Sequence, residues 1–182
     1  REIGQTEMYK YLGIELVAGL AFRAYKARAL KEGWKNMASV WGMGIREQVL
    51  PVADAELVWK ALVRSVLEYA AEIWGDCKWE EAERLQVTMA KRILNCSDYM
   101  ADEVALGELG WWRLRSRRDL LRLEYWGRTV TNAGATRLVR QVYEHGRGRA
   151  NAGEANTWCA YTRQLMIDLG LEEWWTRNEV PS

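Results

Sequence analysis

The sequence predicts a mostly α fold, a bundle of six to eight helices preceded by a short N-terminal β element. The main observation is an apolar segment, residues 57–74, whose few charges recur at every fourth position and so stay on one slowly drifting stripe of a helix. Hydrophobic residues make up 49% of the 182 residues, enough for a core, and 11 Trp against 1 Phe suit wide gaps between helices. The charges of the stripe are Glu56, Lys60, Arg64, Glu68 and Glu72.

The first elements are a strand and a helix. Residues 8–16 mix apolar and polar side chains and include Tyr and Ile, which predicts a short strand or hairpin arm. Residues 20–41 are rich in Ala and predict a helix that Gly42-Met43-Gly44 ends. The expected buried side of this helix consists of Phe22, Leu30, Trp34, Met37 and Trp41.

The apolar segment predicts a central helix that follows Pro51, runs through Trp74 and ends at Gly75-Asp76. Because almost all of its residues are apolar, we expect this helix to be buried on most sides. Residues 79–95 predict a third helix, with acidic side chains in its first turns and basic ones in its last, as the helix dipole favours. Its expected apolar stripe is Ala82, Leu85, Met89 and Ile93.

The second half of the chain predicts further helices. A short helix at 102–108 is expected to end at Gly110, and a long one at 111–133 to continue at 136–144. The glycines of residues 146–153 predict a loop, followed by a helix at 156–168 and one more turn at 171–175. The expected organisation is a strand or hairpin element at 1–19, a helical domain at 20–145, and a basic Gly-rich loop with C-terminal helices at 146–182 packing on that domain.

Composition excludes several classes of function. The net charge of +1 predicts no partner by itself, and no apolar run approaches the ~20 residues of a membrane span. Cys77, Cys96 and Cys159 are widely spaced, which favours neither a disulfide framework nor a zinc site. We expect no metal, cofactor or small-molecule substrate, and an intracellular location in nucleus, cytoplasm or organelle. Because the chain begins with Arg1, we expect a fragment or a processed product.

The basic residues are concentrated in one part of the chain. Residues 111–149 contain ten Arg against three acidic residues. Arg115, Arg118 and Arg122 share a face of the predicted helix and are candidates for phosphate contact, as are Arg147 and Arg149 in the predicted loop. Other arginines fall on a different face, and a helix that follows a phosphate backbone would place them together. Internal ion pairs or a protein partner are therefore the alternative.

Two Trp pairs are candidates for a partner surface. Trp111-Trp112 and Trp174-Trp175 could stack on bases or mark a protein interface, and the pattern favours core and interface. His145, the only histidine, has no second histidine or nucleophile pattern beside it, so we expect no catalytic role.

Three segments in order resemble the C-terminal part of a reverse transcriptase of the non-LTR (LINE-like) retrotransposon type. Tyr11-Leu12-Gly13 opens a segment that resembles the strand of the primer-grip region, next to the catalytic palm. Residues 61–75 resemble the thumb helix of that family. Four further segments resemble the region after the thumb in that family. They are Arg92-Ile93-Leu94, residues 107–111, Arg117-Arg118 and residues 123–126. The resemblance implies a helical thumb fold, with Tyr11, Leu12 and Gly13 near a nucleic acid.

The chain departs from the family at the catalytic residues. The family's palm carries paired Asp residues that hold two metal ions, and that segment precedes the primer-grip strand. This chain has no Asp-Asp pair, and its first Asp is Asp54. We therefore expect it not to be an enzyme by itself.

Two functions follow from this reading. The first is a retroelement-derived, non-catalytic structural or assembly subunit of a larger protein complex. The second is a thumb region that grips an RNA or DNA primer–template duplex.

Overall fold

The computed structural model describes residues 8–11, 14–17, 22–45, 47–75, 78–131 and 137–180. Most of them are helical, which confirms the predicted mostly α class. The chain forms two compact units. Unit 1 comprises Arg1–Tyr69 and Trp79–Arg113, and unit 2 comprises Ala70–Lys78 and Leu114–Ser182. These units cut across the predicted segments 1–19, 20–145 and 146–182, because residues on both sides of position 145 share the core of unit 2.

Unit 1 begins with two strands of four residues, β1 (Met8–Tyr11) and β2 (Ile14–Val17). Their backbones pair antiparallel, with Tyr11 opposite Ile14 and Met8 opposite Val17. The similarity of this segment to a primer grip stays a prediction.

Helix α1 (Arg23–Val40) packs through a row of residues that includes small ones: Tyr25, Ala29, Gly33, Met37 and Val40. The predicted buried side is wrong except at Met37, since Trp34 is 40% exposed and Phe22, Leu30 and Trp41 are only half-buried. The physical reason is that the backbone of α1 lies very close to the side chains packed against it. A Cβ on Gly33 would lie only 3.0 Å from Leu67 Cδ2, so the small residues select the face on which the next helix packs. A π-helical turn, Trp41–Ile45, follows and contains Gly44 with φ +107°.

The central helix is shorter and less buried than predicted. It consists of α2 (Val52–Val58), a π-helical segment (Trp59–Arg64) and α3 (Ser65–Leu67), and the chain then breaks at Ala70, whose φ is +53°. Its buried residues are Ala55, Trp59, Val63 and Leu67. Four positions advance an α-helix about 40° beyond one full turn, whereas the wider π winding falls short of a turn. Combining the two keeps the buried residues in line and leaves the opposite side, including Leu57 at 65% exposure, open to solvent.

The rest of unit 1 agrees with the sequence. Helix α5 (Glu80–Ile93) buries the predicted stripe Ala82, Leu85, Met89 and Ile93. Helix α6 (Asp102–Glu108) has the predicted bounds and is followed by Gly110 with φ +62°. Lys91 joins the two helices, because its Nζ donates to the Asp98 carbonyl at 2.7 Å and lies 2.9 Å from Asp102 Oδ1.

Unit 2 contains α4 (Ala71–Trp74), α7 (Leu114–Thr131), α8 (Arg137–Asn151), α9 (Trp158–Asp168) and α10 (Glu172–Arg177). Residues 111–113, predicted as helix, precede α7 without helical structure. The predicted Gly-rich loop is also wrong, because Gly146 and Gly148 lie inside α8. Close packing explains the first of these glycines, since a Cβ on Gly146 would lie 2.9 Å from Cys159 Sγ of α9.

The core of unit 2 combines apolar contacts with hydrogen-bonded rings. Its buried members are Trp126, Tyr143, Ala150, Cys159, Met166 and Trp175. The Thr157 hydroxyl caps α9 by accepting from the Ala160 N–H at 3.1 Å. Trp158 Nε1 donates to the Glu72 carbonyl at 2.8 Å and so fastens α9 to α4.

Candidate functional site

Two of the predicted contact residues on the Arg-rich helix α7 are buried. Arg118 is 0% exposed and Arg122 is 2% exposed, and both lie on the row of α7 that also contains Leu114 and Trp126. Gly75 permits the approach of the segment after α4, because a Cβ there would lie 3.0 Å from Arg118 Cβ. The predicted face of Arg115, Arg118 and Arg122 is therefore divided, with two arginines inside unit 2 and Arg115 at its surface.

Burial also affects the acid beside these arginines. Asp119 Oδ2 lies 3.8 Å from Arg115 Nε. Burial raises the pKa of the Asp119 carboxyl, and this outweighs the opposite effect of Arg115, Arg122 and Arg118. The guanidinium groups of Arg118 and Arg122 thus lie in the interior of unit 2, and Arg115 and Asp119 lie at its edge.

The two candidate arginines of the predicted loop also interact within the chain. Arg147 donates to the carbonyls of Trp175 and Thr176, at 3.0 and 2.9 Å, and so binds the last turn of α10. Arg149 pairs with Glu154. Hydrogen bonding to Arg149 lowers the pKa of the Glu154 carboxyl.

Arginines elsewhere in the basic region show the same behaviour. Arg140 pairs with Glu144 at 2.9 Å within α8, and Arg113 pairs with Glu103 in unit 1. The Glu103 carboxyl has a lowered pKa, first because of its backbone hydrogen bond and then because of Arg113. Arg113, Arg140, Arg147 and Arg149 thus each contact an acidic side chain or a carbonyl of the chain itself.

The Trp pairs divide into a packed and a more accessible member. In unit 1, Trp111 stacks on Trp59 with ring centroids 5.2 Å apart, whereas Trp112 is 63% exposed. In unit 2, Trp175 is buried and its Nε1 donates to Asn151 Oδ1 at 2.9 Å, whereas Trp174 is half-buried. The candidate interface therefore keeps Trp112 and part of Trp174, and Trp175 belongs to the core.

The remaining predicted residues are neither arginines nor members of the Trp pairs. Tyr11 lies in β1, and Leu12 and Gly13 lie outside the described residues. His145 is on the exposed side of α8. Burial raises the pKa of the Cys159 thiol to about 11.

Within the described part of the chain, no group of three His, Cys, Asp or Glu side chains is placed to hold a metal ion. None of the helices found there combines the length and the apolar character that a membrane crossing requires.

Sequence reasoning missed a groove on unit 2. It has a volume of about 530 Å³ and lies along α7, with the segments from α9 to Val180 on its other side. Its lining is mainly apolar, and Glu124 and Arg128 stand on its α7 side. The only sequence signal was Gly127, a glycine inside a long predicted helix, which also lines the groove.

A second missed feature is a chain of hydrogen bonds that starts at Trp126, which lines this groove. Trp126 Nε1 donates to Tyr143 Oη at 3.0 Å, and Tyr143 donates to Asn178 Oδ1 at 2.7 Å. Burial raises the pKa of the Tyr143 phenol. These residues are far apart in sequence, and no local pattern joins them.

Comparison with protein-family models, with curated protein sequences and with solved structures gives no match for this chain.

Proposed function

We propose that this chain is a non-catalytic, retroelement-derived helical protein that serves as a structural or assembly subunit of a larger protein complex. The observation that carries this proposal is the inward placement of Arg118 and Arg122 on α7. A helix that grips a duplex displays its cations, because affinity for nucleic acid comes mainly from neutralising phosphates. Here the central arginines of the basic region are inside unit 2.

The remaining basic residues support the same reading. Arg147 binds carbonyls of α10, and Arg149 and Arg140 each pair with a glutamate. A paired arginine contributes less positive potential at the surface than a free one. We infer that this arginine content serves the internal structure of the helical units.

Exposed apolar side chains support a protein partner. Trp112 and Leu57 are each more than half exposed in unit 1, as are Leu138 and Val142 on α8 of unit 2. The buried centre of a protein interface is more apolar than the rest of the surface, enriched in aromatic residues and depleted in charged ones. The partner is therefore expected to be a protein.

The retroelement origin rests on the sequence resemblance alone. The resembled segments include residues that form cores, such as Val63 and Leu67 of the central helix. Such residues preserve a fold when the activity of its ancestor is lost.

The test is the size of the native assembly. Extracts of cells that produce the protein are separated by size, with and without treatment by RNase and DNase, and the chain is detected by antibody. We expect it in a species much larger than its own 21.1 kDa that survives nuclease treatment. A chain that runs as a monomer would contradict the proposal, and one released by nuclease would favour the duplex-gripping thumb.

A further inference from the structure

We infer that the groove along α7 is the docking site for an amphipathic helix of a partner protein, with the closest approach at Gly127. This inference rests on the proposed function and specifies one of its contact sites. The groove lies within unit 2 and is lined chiefly by Leu120, Leu123, Trp126, Met166, Leu171 and Trp174.

The shape of the groove suits a helix. Its α7 side extends from Leu120 to Thr131, and the eleven steps between these residues correspond to about 16 Å along the helix axis. That length equals about three turns of a second helix. A volume of about 530 Å³ accommodates a few large side chains of the kind that anchor helices at positions i, i+3 or i+4, and i+7.

Gly127 is the second observation. A glycine inside a helix costs about 1 kcal/mol relative to alanine, so it usually has a packing or functional reason. Packing among the described residues of unit 2 does not supply that reason, because the one atom of theirs that a Cβ on Gly127 would meet within 4 Å is Val180 Cγ2, at an ordinary 3.7 Å. A helix lying in the groove would supply it, since a position without a side chain lets the two backbones approach closely.

The charges beside the groove give the chemistry of the occupant. Glu124 and Arg128 are exposed, line the groove and lie four residues apart on α7. Neither forms an ion pair with another described residue, although Arg128 lies over the Tyr125 ring at 5.9 Å. An amphipathic helix with a basic residue opposite Glu124 and an acidic one opposite Arg128 would complement both.

Two other occupants fit less well. A small-molecule site usually has a few buried polar groups that converge on the ligand, but here Glu124 and Arg128 are exposed and the buried Trp126 already donates its Nε1 to Tyr143. A second copy of this chain could offer the exposed apolar side chains of α8, which are Leu138, Val139 and Val142. They cover only about one turn, too short for a groove of three turns.

The experiment places a photo-crosslinking residue in the groove of the full chain inside the cells that make it. p-Benzoylphenylalanine replaces Leu120, which is 43% exposed, and in the control it replaces Tyr161, which is 39% exposed and outside the groove. We expect a cross-link from position 120, not from 161, to a segment of another protein with apolar residues at helical spacing. Sequencing of the cross-linked peptide provides the readout.

A pair of glycine substitutions then tests the groove itself. Gly127→Leu fills the groove, whereas Gly148→Leu adds the same side chain to a helix position where a Cβ would have no described residue within 4 Å. We expect Gly127→Leu to reduce the cross-link about tenfold, as loss of an anchor pocket should, and Gly148→Leu to leave it nearly unchanged. If Gly127→Leu does not fold, Arg128→Glu at the exposed rim should still weaken the cross-link about threefold to tenfold.

The outcomes separate this inference from the proposed function. A nuclease-resistant complex that persists while position 120 gives no polypeptide cross-link overturns the docking site and leaves the assembly role in place. Cross-links to the chain itself, to a nucleic acid or to a lipid overturn it as well, as does a cross-link insensitive to both Gly127→Leu and Arg128→Glu.

Discussion

The cores of the two units are stabilised in different ways. Unit 1 is filled mainly by apolar side chains in close contact, as where Gly33 admits Leu67 and where Trp59 stacks on Trp111. Unit 2 buries two arginines and joins its aromatic rings by hydrogen bonds, such as the one from Trp126 to Tyr143. Because hydrogen bonds are directional and apolar contacts are not, unit 1 should respond most to changes of volume and unit 2 to the loss of single polar atoms.

The largest effect is expected from Trp59→Ala in unit 1. Trp59 is among the largest fully buried side chains and stacks on Trp111, so its removal leaves a large cavity. We expect the free energy of unfolding to fall by about 3–5 kcal/mol, measured by urea unfolding with circular dichroism. Trp112→Ala, at an exposed neighbouring position, should cost less than about 0.5 kcal/mol. Equal losses in the two variants would show that the Trp59 contact does not stabilise unit 1.

A smaller but more specific effect is expected from Tyr143→Phe in unit 2. The change preserves volume but removes the hydroxyl that accepts from Trp126 and donates to Asn178. We expect a loss of about 1–3 kcal/mol, because the buried Trp126 N–H is left without its partner.

The matched control is Tyr161→Phe, whose hydroxyl donates to Asn156 at the surface. It should change stability by less than about 0.5 kcal/mol. If both variants are as stable as the parent chain, hydrogen bonds do not specify the core of unit 2.

Replacing two glycines of α8 by alanine should change the free energy of unfolding in opposite directions. Gly148→Ala meets nothing within 4 Å and should stabilise the helix by up to about 1 kcal/mol. Gly146→Ala would place its Cβ 2.9 Å from Cys159 Sγ, and overpacking of about 1–3 kcal/mol should outweigh that gain. Thermal unfolding measures both, and adding Cys159→Ala should restore Gly146→Ala. Stabilisation by Gly146→Ala alone would refute the close contact of α8 with α9.

The smallest effects concern two exposed carboxyls, Glu103 in unit 1 and Glu154 in unit 2. Both have a pKa below the ordinary value of 4.5, so the stability they contribute is present above that value and is lost as pH falls through the lower folded pKa. The dominant causes differ, being the backbone hydrogen bond for Glu103 and the Arg149 side chain for Glu154.

Carboxyl ¹³C NMR titration distinguishes these causes. Arg149→Gln should return the Glu154 pKa most of the way to its ordinary value, whereas Arg113→Gln should leave part of the Glu103 shift in place. An unchanged Glu154 pKa in Arg149→Gln would contradict the assigned ion pair.

Local patterns predicted the elements whose periodicity agrees with their packing. The stripe of α5 and the bounds of α6 followed from sequence because apolar spacing, end charges and a terminal glycine all indicated the same structure. The face of α1 was mispredicted because large side chains were expected inside, whereas Ala29 and Gly33 allow the closest approach. The π-helical segment and the break at Ala70 depend on tertiary packing, which no local pattern reports.

The candidate site was harder to predict than the fold. Helical spacing grouped Arg118 and Arg122 with Arg115, but it does not tell which face of α7 meets the rest of unit 2. The groove depends on α7, α9 and α10 coming together, so only Gly127 gave any advance sign of it. Contacts between distant parts of the chain decide both questions.

The central claim is that Arg118 and Arg122 of α7 serve the interior of unit 2 and that α7 does not hold a duplex. The most direct measurement is the fluorescence anisotropy of a labelled RNA–DNA hybrid titrated with the chain at about 50 and 200 mM salt. We predict no saturable binding at micromolar protein, and no difference between the parent chain and Arg115→Gln. Saturable binding that weakens steeply with salt and is reduced by Arg115→Gln would contradict the account.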